Sequence, residues 1–140
     1  MSPLFGGGRS FPGALLFTRK MKWSAADVEY IINKASKWCY LKPLASHIGA
    51  EEAQDFKTIL KTAVGDGEKH LLLDMAEVSL IDSTGLGTFV SAVRLLKPGS
   101  EFVICNPRHT LSQILDMTRL NRIMRIFGTL QEAEEALSQT

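Results

Sequence analysis

Two neighbouring hydroxyls, Ser83 and Thr84, are the side chains whose surroundings best suit them to chemistry. They follow Asp82 and precede the glycine-rich segment Gly85–Gly87, and a helical pattern continues over residues 88–96. Asp, Ser and Thr at the start of a helix supply oxygens that accept hydrogen bonds from its first backbone N–H groups. Glycines allow a tight turn and the close approach of another group. A phosphate added here would meet the positive end of the helix dipole.

A hydrolytic role for Ser83 would need a base and an orienting acid. Asp82 together with His47, His70 or His109 contains the atoms of a Ser-His-Asp triad. The G-x-S-x-G segment that exposes such a serine is absent. An aspartate that is the chain neighbour of the serine is also poorly placed to orient a separate histidine. We therefore expect a protein that is not an enzyme.

Nucleotide, metal and redox chemistry find little support in the residue pattern. Gly85 and Gly87 do not form G-x-G-x-x-G, and no P-loop lysine follows them. Cys39 and Cys105 lie far apart in apolar, strand-like runs, without Cys-x-x-Cys or Cys/His spacing. We expect two buried, reduced thiols in a cytoplasmic protein, and neither a metal nor a cofactor.

Composition and charge indicate one globular domain preceded by an arm. The chain has 140 residues, of which 45% are hydrophobic and 22% charged. Residues 1–22 hold four bases and no acid, whereas the remainder holds 12 bases and 15 acids, a net charge of −3. This balance disfavours DNA or an anionic membrane as a partner of the domain, and no apolar run reaches the ~20 residues of a transmembrane helix. Glycines and prolines predict a flexible N-terminal arm at 1–23, with the domain at 24–140.

Strand and helix patterns alternate after an initial hairpin, which predicts an α/β domain with a mixed sheet of about four to five strands and helices packed on it. The predicted strands are 28–33, 37–42, 70–74, 101–105 and a short last one within 120–127, separated by a loop at 44–49 and by helices at 50–64, 88–96, 108–118 and 130–138.

Basic and sulfur-containing residues near the last predicted strand have ordinary interpretations. Arg119, Arg122 and Arg125 recur every three residues, which is typical of a solvated face, although they could pair with the acids of a partner. Met117 and Met124 are expected to fill gaps in the core.

Five segments together carry a resemblance to a known family. Their residues are Leu71–Asp74, Ile81–Gly87 with its D-S-x-G-L-G pattern, Phe102–Asn106, Leu115–Ile123 with its L-x-x-T-x-L-x-x-I pattern, and Glu132–Leu137. In order and spacing these segments resemble the STAS domain of bacterial anti-sigma factor antagonists, over about residues 28–138. The resemblance implies a small mixed sheet with helices packed mainly on one side.

The resemblance also implies a function. In the phosphorylatable members, a partner serine kinase that is also an anti-sigma factor phosphorylates the serine after the aspartate. The unphosphorylated antagonist binds that kinase and frees the sigma factor, so transcription is regulated, and a phosphatase resets the antagonist. By this match Ser83 is the phosphoacceptor, with Thr84 as its neighbour. The partner-binding residues implied are Asp82, Ser83, Thr84, Gly85, Leu86 and Gly49, the last standing where many members carry an aspartate.

Other roles stay open at this point. Related domains serve, without switching, as scaffolds of stress-sensing assemblies or as subunits of lipid-transport ABC complexes. Ser83 and Thr84 could also do no more than cap their helix. The apolar part of the arm could join copies of the chain into a homodimer.

Overall fold

A mixed β-sheet with helices on both faces forms the framework of the protein. The computed structural model describes residues 17–21, 28–34 and 37–139. The strands within these residues are β1 Phe17–Met21, β2 Val28–Asn33, β3 Trp38–Pro43, β4 His47–Ile48, β5 His70–Asp74, β6 Leu80–Ile81, β7 Phe102–Cys105 and β8 Arg125–Phe127. The α-helices are α1 Ala50–Val64, α2 Ser83–Leu95, α3 His109–Met117 and α4 Leu130–Ser138.

Six of the strands form one sheet in the order β1-β2-β3-β5-β7-β8. The first three strands pair antiparallel as a meander, whereas β3, β5, β7 and β8 run parallel to one another. Helices connect the parallel strands, as parallel pairing requires. A separate pair, β4 and β6, forms a short parallel ladder beside this sheet.

The central strand β5 shows why the sequence has a continuous apolar run at this point. Leu71 and Leu73 face a large core under α1, α2 and α3, whereas Leu72 faces a smaller core under α4. All three side chains are fully buried. A strand covered on both faces must be apolar on both, in contrast to the alternation of a half-exposed strand.

Aromatic side chains join the first two helices to the sheet. The Phe89 ring of α2 lies 6.0 Å from the Phe56 ring of α1, edge to face, and 5.6 Å from the Phe102 ring of β7. Such pairs contribute roughly 0.5–1.5 kcal/mol beyond the area they bury. Phe89 therefore packs the middle of α2 against both α1 and the sheet.

The predicted α/β architecture is confirmed, with three helices on one face of the sheet and α4 on the other. The hairpin of β2 and β3 and the helices at 50–64 and 130–138 have the predicted positions. The strand β1 was not predicted, because residues 17–21 lie within the proposed arm. The other arm residues, 1–16, 22 and 23, lie outside the described part of the chain.

Several local boundaries also differ from the prediction. The loop at 44–49 contains the two-residue strand β4. The last strand is shorter than 120–127, because a 3-10 turn occupies Leu120–Arg122 before β8. The helix predicted over 88–96 begins earlier, at Ser83.

The two predicted thiols are buried and unpaired with one another. Burial raises the pKa of the Cys39 thiol to about 11, against the opposing effect of Lys34 and Lys69. Burial also raises the pKa of Cys105, with a further contribution from the Asp74 carboxylate. A thiol that resists ionisation is a poor nucleophile, so both cysteines act as packing residues.

No helix within the described residues is both long enough and apolar enough to cross a bilayer.

Candidate functional site

Asp82 begins the helix that carries the two hydroxyls. Its backbone is extended, and its Oδ1 atom accepts a hydrogen bond of 3.0 Å from the backbone N–H of Gly85. Ser83 and Thr84 are then the first two residues of α2. The interpretation of Ser83 and Thr84 as caps is therefore wrong for this helix, because Asp82 performs that task.

The hydroxyls of Ser83 and Thr84 are available to other molecules. Both residues are exposed, and neither hydroxyl takes part in a hydrogen bond within the described part of the chain. One turn later the situation changes, since Thr88 is buried and its hydroxyl donates to the Gly85 carbonyl. The two hydroxyls at the helix start are thus accessible and have no structural task within the described chain.

The short ladder of β4 and β6 brings a second segment to this site. Ile48 lies opposite Ile81, and the backbone N–H of Asp82 donates to the Ile48 carbonyl over 3.2 Å. Gly49 follows Ile48 and is the N-cap of α1. The starts of α1 and α2 therefore lie side by side, which brings Gly49 close to the segment that contains Ser83.

A side chain at Gly49 would displace the imidazole of His47. A Cβ atom at this position would lie 2.9 Å from His47 Nε2 and 3.2 Å from Asp82 Oδ2. The backbone itself is extended and would accept any residue. Glu52 compensates for the missing capping side chain, since its Oε1 accepts from the Gly49 N–H over 2.8 Å.

Gly85 is required by packing, and Gly87 is not. A Cβ atom on Gly85 would lie 2.6 Å from the Ile81 side chain and 2.7 Å from the Ile48 carbonyl. The same atom on Gly87 would have no neighbour within 4 Å. The close approach that the sequence predicted at Gly85 is thus made by the protein's own β4, while Leu86 packs half-buried against the main core.

A groove of about 290 Å³ runs between α1 and α2 beside Thr84. Small side chains leave the space open, and one cation, Lys57, reaches its wall. The lining residues are Ala50, Ala53, Gln54, Lys57, Thr84, Gly87, Thr88 and Ser91.

The three histidines occupy different places. His47 lies beside Gly49, on the β4 strand that pairs with β6. His70 accepts the Glu101 backbone N–H on Nδ1 over 3.0 Å, and His109 begins α3. No hydrogen bond among the described residues joins an imidazole to Ser83, so the geometry contains no assembled triad.

The sequence indicated His47 only as one of three possible bases and did not predict its place beside Gly49. Its position depends on the pairing of two strands of two residues each, which leaves no periodic signal. The nearest clue was the unusual glycine at position 49.

Metal ligation has no basis in the described part of the chain, where no three His, Cys, Asp or Glu side chains cluster suitably for an ion.

The basic residues near β8 are partly engaged within the chain. Arg125 pairs with Glu101 over 3.1 Å and lies over the Phe127 ring, with 5.1 Å between the guanidinium carbon and the ring centroid. Arg119 and Arg122 are exposed. The expectation for the methionines is half right, because Met124 is 4% exposed and Met117 is 81% exposed.

The fold and the exposed hydroxyl pair define a small α/β domain in which the start of one helix, α2, is exposed to solvent. The model of the STAS domain family matches residues 22–133, so the chain belongs to that family.

Individual relatives agree with this assignment. A Thermotoga neapolitana protein, assigned by name to the anti-sigma factor antagonists, is 30% identical over 90 residues, which are 63% of this chain and 80% of the relative. A Thermotoga maritima protein, likewise assigned by name to the anti-sigma factor antagonists, has a crystal structure that superposes with a TM-score of 0.67 at 23% identity, over 78% of this chain and 94% of that one. The structure of the Bacillus cell fate determinant SpoIIAA in its phosphorylated form superposes with a TM-score of 0.58 at 17% identity. The match covers 76% of this chain and 97% of that one.

Proposed function

We propose that this chain is an anti-sigma factor antagonist that binds a kinase-type anti-sigma factor and is switched by phosphorylation of Ser83. The observation that carries the proposal is the free, exposed Ser83 hydroxyl at a helix start that Asp82 already caps. The unphosphorylated protein would hold the kinase and release the sigma factor for transcription in the cytoplasm. A cognate phosphatase would restore this state.

The modification would act at the partner surface and would leave the fold intact. A phosphate adds about −1.5 to −2 charges and three acceptor oxygens. On the first residue of α2 it faces the positive end of the helix dipole, which would stabilise it locally by about 0.3–1 kcal/mol. A partner that packs against an uncharged hydroxyl would meet added bulk and would have to desolvate the phosphate.

The proposed contact surface centres on the exposed Asp82, Ser83 and Thr84. Gly49 is buried beside the Asp82 carboxylate, so it would shape the surface without presenting a side chain to the partner. Gly85 is buried and Leu86 half-buried, so these two residues would support the surface from below and fix its shape.

Incubation with ATP and the cognate kinase, followed by mass spectrometry, tests the modification directly. We expect one phosphate on Ser83, which is lost in Ser83→Ala and retained in Thr84→Ala. A phosphate found on neither hydroxyl, with a kinase that is active on another substrate, would refute the switch.

Titration of the partner tests the consequence. We expect Ser83→Ala to bind like the unmodified protein and Ser83→Asp to bind about 100-fold more weakly, which corresponds to roughly 2.7 kcal/mol. Circular dichroism should show the same fold for all three proteins. Equal affinities would contradict the proposed mechanism.

A non-switching interaction module, in a stress-sensing scaffold or a lipid-transport complex, is the second candidate. It is favoured by Gly49, because this position has no side chain where the family resemblance implies an aspartate. An unphosphorylated Ser83 together with stable binding of such an assembly would support it.

A further inference from the structure

The segment that joins α3 to β8 places two apolar and two basic side chains on the surface. Met117 is 81% exposed and Ile123 is 46% exposed. Arg119 and Arg122 lie between them in the chain and are exposed as well. Neither guanidinium takes part in a hydrogen bond or an ion pair within the described residues. We call these four side chains the α3–β8 patch.

Arg119 has a backbone conformation that favours glycine. Its φ is 61° and its ψ is 21°, in the left-handed region just after α3. Helices that end in this way usually carry Gly or Asn there, because a Cβ atom is strained in this region. Asn106, the other described non-glycine residue with a positive φ, donates its amide to the Asp74 carboxylate. The Arg119 side chain has no such contact, so nothing within the described chain offsets its strain.

The α3–β8 patch and Ser83 lie at opposite edges of the sheet. α2 connects β5 to β7 and α3 connects β7 to β8, and both of these strand pairs are parallel. A helix between parallel strands must return from their carboxyl edge to their amino edge. Ser83 begins α2, whereas the patch follows the end of α3. The 13 residues of α2 span about 20 Å, so the patch is separate from the exposed hydroxyls.

Charge and shape indicate what the α3–β8 patch would bind. The one acid beside it in the chain, Asp116, accepts from the Asn121 amide over 3.0 Å. The positive patch contrasts with residues 23–140 as a whole, whose net charge of −3 disfavours nucleic acid and anionic membranes. Arg and Met are enriched where proteins bind other proteins. A groove of about 530 Å³, bounded by α3, the 3-10 turn and β8, offers space for an apolar side chain.

We propose that the α3–β8 patch is a second docking surface for the anti-sigma factor partner. The partner segment that fits it carries carboxylates, which pair with Arg119 and Arg122, and apolar side chains, which cover Met117 and Ile123. The patch contributes the same factor to the affinity whether or not Ser83 carries a phosphate. This inference rests on the proposed function of the chain as an antagonist of an anti-sigma factor, and it does not require the phosphorylation of Ser83.

Titration of the full chain with the cognate anti-sigma factor tests the proposal through two matched charge reversals. The patch variant is Arg119→Glu/Arg122→Glu. The control is Lys61→Glu/Arg94→Glu, which changes the net charge equally at exposed residues of α1 and α2. We expect the patch variant to bind at least tenfold more weakly at low salt and the control less than twofold. Added salt should reduce the difference, and equal losses in the two variants would overturn the proposal.

Arg119→Gly separates recognition from structure. Glycine relieves the strain at this position, so we expect the midpoint of thermal unfolding to rise by about 2–4 °C. The same variant lacks the guanidinium and should bind the anti-sigma factor about threefold or more weakly. A variant that binds as tightly as the parent would show that the side chain does not contact the partner, which would refute the proposal.

The independence of the two surfaces is measured in a Ser83→Asp background. The patch variant should lose the same factor there, because distant sites contribute additively to binding. Light scattering of the chain alone checks the occupant, since a mass that falls from dimer to monomer in the patch variant would assign the patch to a second copy and overturn the proposal. A parent that binds no anti-sigma factor would refute the proposed function as well. A parent that binds, with a patch variant that matches the control, would refute the second surface alone.

Discussion

Two aspartates at the ends of strands illustrate how a buried carboxylate differs from an exposed one. Asp74 ends β5 and is 3% exposed. Its Oδ2 accepts from the Tyr40 hydroxyl over 2.6 Å, and its Oδ1 accepts from Asn106 and from the Ala76 N–H, each over 3.1 Å. Asp82 follows β6, is exposed, and uses one oxygen for the cap of α2. The carboxylate of Asp74 thus uses both oxygens in hydrogen bonds within the chain. The carboxylate of Asp82 uses only one of them and lies next in the chain to the free hydroxyl of Ser83.

Removal of the buried carboxylate should have the largest effect. Asp74→Ala leaves three donors without their acceptor, and we expect it to lower the free energy of unfolding by about 3 kcal/mol. Urea denaturation of the variant and the parent measures this difference. A loss of unfolding free energy smaller than that caused by Asp82→Ala would contradict the difference between the two aspartates.

Tyr40→Phe should cost less, about 1.5–2.5 kcal/mol at neutral pH, since one hydrogen bond to a buried carboxylate is lost. Burial raises the pKa of Tyr40, and the neighbouring Asp74 carboxylate raises it further. The folded state therefore favours the neutral phenol. Its contribution is fully present below the pKa of an unfolded tyrosine, about 10, and is lost as the pH rises above that value. Denaturation at a series of pH values should show parent stability falling toward that of Tyr40→Phe above pH ~10, and parallel curves would contradict this.

Asp82→Ala should destabilise the protein by about 1 kcal/mol, the usual cost of a lost helix cap. Asp82→Asn should retain most of the stability, because the amide oxygen can still accept from Gly85. Thermal unfolding of the two variants side by side separates the cap from the charge. Equal losses in both would assign the effect to the charge.

Ser83→Ala should have the smallest effect, within about 0.5 kcal/mol of the parent, as for a surface substitution without a partner. A loss near 1 kcal/mol in the same denaturation assay would mean that the hydroxyl has a structural task. An unchanged free energy of unfolding would instead show that Ser83, unlike its chain neighbour Asp82, does not stabilise the fold.

Sequence patterns predicted the parts of the fold that bury a regular stripe. The helices at 50–64 and 130–138 each present apolar residues at three- and four-residue steps, and the structure buries those positions. The strand β1 lacks such a signal, because its place is set by pairing with β2 after a glycine- and proline-rich stretch. Met117 and Met124 look alike in sequence, yet only the fold decides which of them faces the core.

The candidate site was predictable to the extent that its residues are adjacent in the chain. The residue types of the segment Asp82–Thr84 are enough to predict a helix start. The sequence did not show which of the three residues caps the helix, since the side chain of any of them can do so. The place of His47 beside Gly49 depends on the β4–β6 ladder, a tertiary contact that no local pattern encodes.

The packing of Gly85 against Ile48 and Ile81 has a consequence for mutational screening. In a library that replaces every position, Gly85 should fail a selection for cellular abundance, whereas Ser83 should fail only a selection for partner response. Two positions of one motif would then score as equally intolerant in a single functional screen for unrelated reasons. A paired abundance screen would separate the residue that builds the display surface from the residue that is displayed.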